Sequence, residues 1–439
     1  MDQRLKPLKD RSLLVVFAYA PAGLGHLRVT DALYHGLPKD ANTPLLLGSQ
    51  DQTITYLHRL MSLNPVISRL ADWIESNIFI EEISTAIYRR ILEANTDILY
   101  RQMLTIVDEV YETPSKILVV ATHFGLAHQL AAIKKRLEKE KNIRMILTVQ
   151  VTDDSPFRIW VVPEADLIVV PSEATKNNLD QFIKKMGYRV PTVVNPYPIS
   201  PTLTKTLSEN ELKEKFDQVD PNKDTKTKII IPVSGAAVQT DFLTNIIGKL
   251  HGKSNRFVFH IVVKNAPFTR NFISKMASLD FVHLSIGATD RKMIDNYEYV
   301  YNQNTISLEI TKPSEQAFKA LIDPSKKSAS ILLFSKPVGR QEKDNLNFLR
   351  RHQLIPSYQD EELLWTMTED EKIFSKARSW RGLCLPFHSS RAADFIFWCL
   401  KTGLFSKMLQ FDKKREANKK ELGSDGVVGY WQLVADLIK

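Results

Sequence analysis

The sequence predicts an α/β protein built from two Rossmann-like domains facing a cleft, with a block of helices inserted in the first. Three observations lead there. Short apolar runs alternate with amphipathic stretches from the start of the chain, which is how a parallel sheet covered on both faces is written. A polar stretch at 201–228 interrupts this alternation, and the pattern then begins again. The length of 439 residues, with 44% hydrophobic and 25% charged residues, suffices for two ordinary cores.

In chain order, strands are expected at Leu13 to Ala20, Ile117 to Ala121, Met145 to Val151 and Leu167 to Val170. Between the first two lies about 54–112, rich in Leu, Ile, Tyr and Trp with one proline, Pro65, and it reads as several inserted helices. The acceptor-side domain is assigned 1–200, and 201–228 is the best linker because little in it is apolar, although Leu203 to Phe216 can carry a short helix. A second domain, 229–390, opens with a strand at Lys228 to Val233 and a helix at Gln239 to Leu250. Further strands are expected at Phe257 to Val263, Ser307 to Ile310 and Ser330 to Phe334. The remainder, 391–439, reads as helices that pack back on the first domain. Its many aromatics beside seven lysines and arginines within 401–420 also suit a membrane-surface helix.

Composition excludes several classes. Two cysteines, Cys384 and Cys399, fit neither a disulfide framework nor a CxxC metal site and favour a reducing compartment. No run of about 18 apolar residues appears, so a membrane-spanning helix is not expected. A net charge of +9 favours anionic partners such as phosphorylated substrates. Nucleic acid is disfavoured, since no zinc-finger, RNP-type or basic-helix pattern occurs. A Ser-His-Asp hydrolase is disfavoured for lack of a G-x-S-x-G elbow.

The first strand runs into Pro21-Ala22-Gly23-Leu24-Gly25-His26, and a helix starts near Leu27. Glycines at such a turn let the backbone approach a ligand closely, and the amides of a helix start favour negative charge. The dinucleotide pattern G-x-G-x-x-G fails at Arg28, so NAD is disfavoured. His26 follows the glycine pair, where an imidazole can take a proton from a hydroxyl; a plain helix-cap histidine is the alternative. His123, at the end of the second strand, is a second candidate for the acceptor side, and Asp153 can orient His26 or itself serve as base. A metal is not expected, because the His123 and His128 spacing suits no helical ligand pair.

The stretch APAGLGHLRVTDAL resembles the glycine-rich loop and helix of GT-B glycosyltransferases of the monogalactosyldiacylglycerol synthase and processive diacylglycerol glucosyltransferase type. VQVTDDSPFRIW at 149–160 is similar to a second family segment: Thr152, Asp153 and Trp160 match in register, with Phe157 where the family has His. KIIIPVSGAAVQT resembles the diphosphate loop of the nucleotide-sugar domain, and HIVVKNAPF the strand that ends in Gly-Arg/Lys-Asn, with Val263 in the place of Gly. The blocks Thr311-Lys312-Pro313-Ser314-Glu315 and Gln341-Glu342-Lys343-Asp344-Asn345 resemble the family's Thr-Lys-Pro-Gly-Gly and Gln-Glu-x-x-Asn segments in order and separation.

The resemblance implies a glycosyltransferase that moves a sugar from a nucleoside-diphosphate sugar, UDP-sugar above all, to a hydroxyl acceptor, with a membrane lipid as one such acceptor. No cofactor or metal is implied. It implies a cytoplasmic protein, peripheral at the inner membrane face. His26 and Asp153 are then the catalytic candidates. Donor-binding residues would be Gly235, Ala236, Lys264, Asn265, Lys312, Pro313, Ser314, Glu315, Gln341, Glu342 and Asn345, and the acceptor side Gly23, Gly25, His123 and Trp160. Ser314 and Glu315 replace the family's paired glycines, and a glutamate facing a diphosphate costs electrostatically unless it turns to ribose hydroxyls. A non-catalytic GT-B scaffold with a degraded donor site is therefore the rival reading, with a nucleotide-sugar epimerase behind it.

Overall fold

The computed structural model describes residues 3–20, 24–48, 78–110, 114–233, 239–411 and 419–439. The chain forms two compact units, Met1–Ser200 with Lys419–Lys439, and Pro201–Asn418. Each is a Rossmann-like α/β unit around a six-stranded sheet in which every pairing is parallel.

In the first unit the strands are β1 Leu13–Tyr19, β2 Leu45–Gly48, β3 Lys116–Ala121, β4 Arg144–Gln150, β5 Leu167–Val170 and β6 Thr192–Val194, in the order β2-β1-β3-β4-β5-β6. Helix α1, Leu24–Gly36, follows β1. Two helices, α2 Ile78–Ala94 and α3 Asp97–Glu109, lie in the chain between β2 and β3, within the block expected at 54–112, of which 54–77 and 111–112 lie outside the described residues. Helix α4, Phe124–Lys141, leads from β3 to β4, and α5, Glu173–Met186, from β5 to β6. The continuous apolar strands read as they do because both faces are covered. Leu14, Val16 and Ala18 of β1 face one core with Leu99, Met103 and Leu130, while Phe17 packs on Tyr34 and Trp431.

In the second unit the strands are β7 Thr227–Pro232, β8 Phe257–Lys264, β9 Val282–Gly287, β10 Leu308–Thr311, β11 Ser330–Phe334 and β12 Gly382–Leu385, in the order β12-β11-β10-β7-β8-β9. That is the doubly wound arrangement of dinucleotide-binding sheets. The stretch expected as a linker belongs to this unit. It carries helix α6, Glu209–Val219, with a Ser208/Glu211 capping box, and buries Lys215, whose Nζ donates to the carbonyls of Pro324, Lys326 and Ser328 at 2.8, 2.8 and 2.6 Å. The short helix expected within the stretch is thus packed, with Lys215, Gln218 and Val219 buried.

The expected return of 391–439 to the first domain is corrected in part. Phe395, Ile396, Cys399 and Leu400 of Ser389–Lys401, and Leu404, Phe405, Met408 and Leu409 of Leu404–Leu409, lie in the core of the second sheet. Their apolar faces are thus used within that unit. The helices Lys419–Leu422 and Gly426–Ile438 are the part that joins the first unit. There Trp431 Nε1 donates to Leu33 O at 3.0 Å, and the hydroxyls of Tyr430 and Thr148 meet at 2.7 Å. Gly426 sits so close to the carbonyl of Pro196 that any Cβ would collide with it. Among the described residues no helix is long and apolar enough to cross a membrane.

Candidate functional site

In an open parallel sheet ligands gather where the strand order reverses, outside the carboxyl ends of the strands. In the first unit this is between β1 and β3. The residue that opens the turn after β3 is Thr122, and α1, the next described element after β1, carries His26. The two meet: Nδ1 of His26 lies 2.7 Å from Thr122 O, and Thr152 Oγ1 is 3.2 Å from the same nitrogen. A carbonyl only accepts, so Nδ1 carries the proton and Nε2 is the lone-pair nitrogen of the neutral ring. Thr30 Oγ1 ties the two elements again, donating to His26 O at 2.8 Å and lying 2.7 Å from Thr122 Oγ1. Tyr197 in turn donates its hydroxyl proton to Thr152 O at 2.9 Å.

Around the half-buried His26 stands an aromatic group. The rings of His26 and His123 are nearly perpendicular at 5.1 Å, and Trp160 is 6.2 Å from His26. Phe124 stacks on His123 at 4.8 Å and meets Trp160 edge-on at 5.5 Å. His123 caps α4, its Nδ1 accepting from Leu126 N–H at 3.4 Å. Trp160 is buried in the short 3₁₀ helix Arg158–Trp160, which α2 supports: Glu81 accepts from Arg158 N–H at 3.0 Å, and Glu82 pairs with the Arg158 guanidinium at 2.7 Å. The inserted helices thus help to hold the wall of this site.

The two aspartates after β4 are divided. Asp153 is buried and accepts from Ser155 N–H at 2.9 Å. Asp154 accepts from the hydroxyls of Ser172 and Thr175 at the start of α5, a structural cradle. His128 is buried, donates from Nε2 to Ile159 O at 2.9 Å, and burial brings its pKa down to about 4, so it is a neutral packing group. Gly25 is the second residue of α1, beside His26, while Gly23 lies outside the described residues.

In the second unit the reversal is between β7 and β10. Lys312 directly follows β10, and its Nζ is 3.8 Å from Glu342 Oε1 near the start of the helix Gly339–Arg351. Glu342 Oε2 accepts from Val338 N–H at 2.7 Å, and burial raises the carboxyl's pKa against the pull of Lys312. Asn345 Nδ2 donates to Pro313 O at 3.2 Å. Lys312, Pro313, Glu342 and Asn345 therefore come together. Ser314 precedes the 3₁₀ helix Glu315–Leu321, and Glu315 accepts from Gln316 Nε2 at 2.8 Å. Gln341 and Asn265 are exposed, and Lys264 pairs with Asp290 at 2.8 Å on the far side of β7. Gly235 and Ala236 lie outside the described residues.

Sequence reasoning chose His26 and His123 separately and missed what joins them: the Thr122 carbonyl, the Thr152 hydroxyl, Phe124 and Gly125. A main-chain acceptor leaves no signature in side-chain spelling.

No protein-family model matches the chain, and no curated protein matches it in sequence. Among solved structures, the chain is similar in its course to S. aureus MnaA in complex with UDP, at 11% identity over 97% of each chain and a TM-score of 0.47. It is similar to MurG of Acinetobacter baumannii, at 10% identity over 97% of this chain and 99% of that one, TM-score 0.46. A third likeness is to UDP-GlcNAc 2-epimerase of Neisseria meningitidis bound to UDP-GlcNAc, at 13% identity over 96% and 99%, TM-score 0.43.

Proposed function

We propose that the chain is a glycosyltransferase whose second domain holds a nucleoside-diphosphate sugar, UDP-sugar first among them, and whose first domain supplies the base for a hydroxyl acceptor. The observation that carries this reading is the hydrogen bond from His26 Nδ1 to Thr122 O at a strand-order reversal. It makes Nε2 the lone-pair nitrogen of the neutral ring, the atom that would accept a proton from a hydroxyl. In the reaction the acceptor oxygen bonds the anomeric carbon as its proton passes to Nε2. The bond from that carbon to the diphosphate breaks, and Lys312 meets the charge that develops on the leaving group. Glu342 and Asn345 are read as the residues that set the place of Lys312 and the Pro313 turn. A lipid acceptor and a peripheral place at a membrane remain part of the proposal, and Asp153 is kept beside His26 as the second candidate base.

One observation favours the rival reading, a fold that binds without transfer: Lys312 already has a buried carboxylate 3.8 Å away. Release of nucleoside diphosphate from UDP-, GDP-, CDP- and TDP-sugars, with lipid and water-soluble hydroxyl acceptors, separates the two. Transfer from any donor supports the enzyme; binding with no release from any of them supports the scaffold.

A further inference from the structure

Gly125 is the second residue of helix α4, a position where alanine is ordinarily the better residue. Here there is no room for it. A Cβ on Gly125 would lie 2.9 Å from Cε1 and 3.2 Å from Nδ1 of His123, with Leu92 Cδ2 at 3.8 Å. The His123 ring folds back over the helix start because residue 125 has no side chain. It cannot easily step aside, since it is buried at 2% exposure, caps the helix through Nδ1 and is stacked on Phe124 at 22°. In that place it stands at 86° to the ring of His26.

We propose that His123 is a positioning residue for His26 and that Gly125 is the residue that makes this position possible, an inference that rests on the reading of His26 as the base. The hydrogen bond from Nδ1 to Thr122 O fixes one point of the His26 ring but leaves its plane to be set. The perpendicular contact with His123 sets it, and so decides where Nε2 points. Thr122 to Gly125 thus form one device: an acceptor for the base, a ring against the base, a ring behind that ring, and a space for it.

The test uses the full chain with Gly125→Ala, His123→Asn and the double variant. Asparagine keeps a side-chain acceptor for the helix cap but is too short to meet a Cβ at 125. Gly125→Ala should lower Tm in the parent and should leave it unchanged or raise it in the His123→Asn background, the non-additivity expected of two residues in contact. The ring 15N shifts of His26, followed by NMR across roughly pH 5–8, should move in both single variants. Transfer should lose about tenfold in kcat in each, with KM for the donor unchanged. Equal Tm changes in the two backgrounds, His26 shifts in His123→Asn like those of the parent, or parental kcat in both variants would each overturn the proposal. The Tm and NMR arms decide it without any assay, so a parent that transfers no sugar, which refutes the transferase reading, is told apart from a failure of this one.

Discussion

Nδ1 of His26 on helix α1 lies 2.7 Å from the main-chain oxygen of Thr122 at the end of β3. Because the carbonyl belongs to the backbone, it fixes the tautomer of the ring without any second titrating group. His26→Asn can keep a donor to that carbonyl while removing the basic nitrogen. It should lower kcat at least about a hundredfold with donor KM nearly unchanged. Steady-state kinetics with varied donor concentration check both statements.

Lys312 and Glu342 make a separable pair. Lys312→Ala should weaken donor binding, whereas Glu342→Gln, which removes the neutralising charge, should leave it equal or stronger; calorimetric titration with a UDP-sugar reads the contrast. The same substitution has a pH signature. Burial raises the Glu342 carboxyl above 4.5, so its contribution to stability is present below that pH and is lost as pH rises through the folded-state value. Relative to the glutamine variant, the parent should lose stability across that window in urea unfolding.

His128 and His260 should make the fold acid-sensitive well above the carboxylate range. Burial is the main cause that brings each to about 4, from 6.5. For His260 the neighbouring His283, stacked at 4.9 Å, adds to it. Between these values the unfolded chain binds protons that the fold refuses, so stability falls as pH falls from about 6.5 towards 4. Each can cost up to about 3 kcal/mol by the lower end of that range. Urea unfolding at intervals from neutral pH downward should show the decline, and His128→Gln or His260→Gln should flatten it. A parent equally stable at both ends would contradict the burial of these rings as neutral groups.

Lys215 should behave as a core residue of the second domain despite its charge. Lys215→Met leaves three carbonyls, those of Pro324, Lys326 and Ser328, without their donor. Loss of about 3 kcal/mol is expected in denaturant unfolding, because unmade buried hydrogen bonds cost more than made ones contribute. A change within about 0.5 kcal/mol, as for a surface site, would contradict the assignment.

The two sheets were legible because buried parallel strands are spelled as unbroken apolar runs; Leu13–Tyr19 and Lys116–Ala121 are of that kind. The short β12, Gly382–Leu385, was not, since four residues with a glycine at the head carry little pattern. The tail misled for a different reason. An apolar face declares that it must be covered and does not say by what, so Phe395 and Met408 could be read onto the wrong domain. At the site, the glycine turn led to His26, and strand-end placement led to His123. The contact between them depends on β1 and β3 lying side by side, a fact of topology that no local spacing contains.

The proposed function requires that this chain bind a nucleoside-diphosphate sugar as its donor. Thermal unfolding of the full chain with UDP-, GDP-, CDP- and TDP-sugars tests it most directly. A donor present at a hundred times its dissociation constant should stabilise the fold by roughly 2.7 kcal/mol, with the UDP-sugars giving the largest rise in Tm and Lys312→Ala reducing it. No rise with any of the four classes at millimolar concentration would contradict the account.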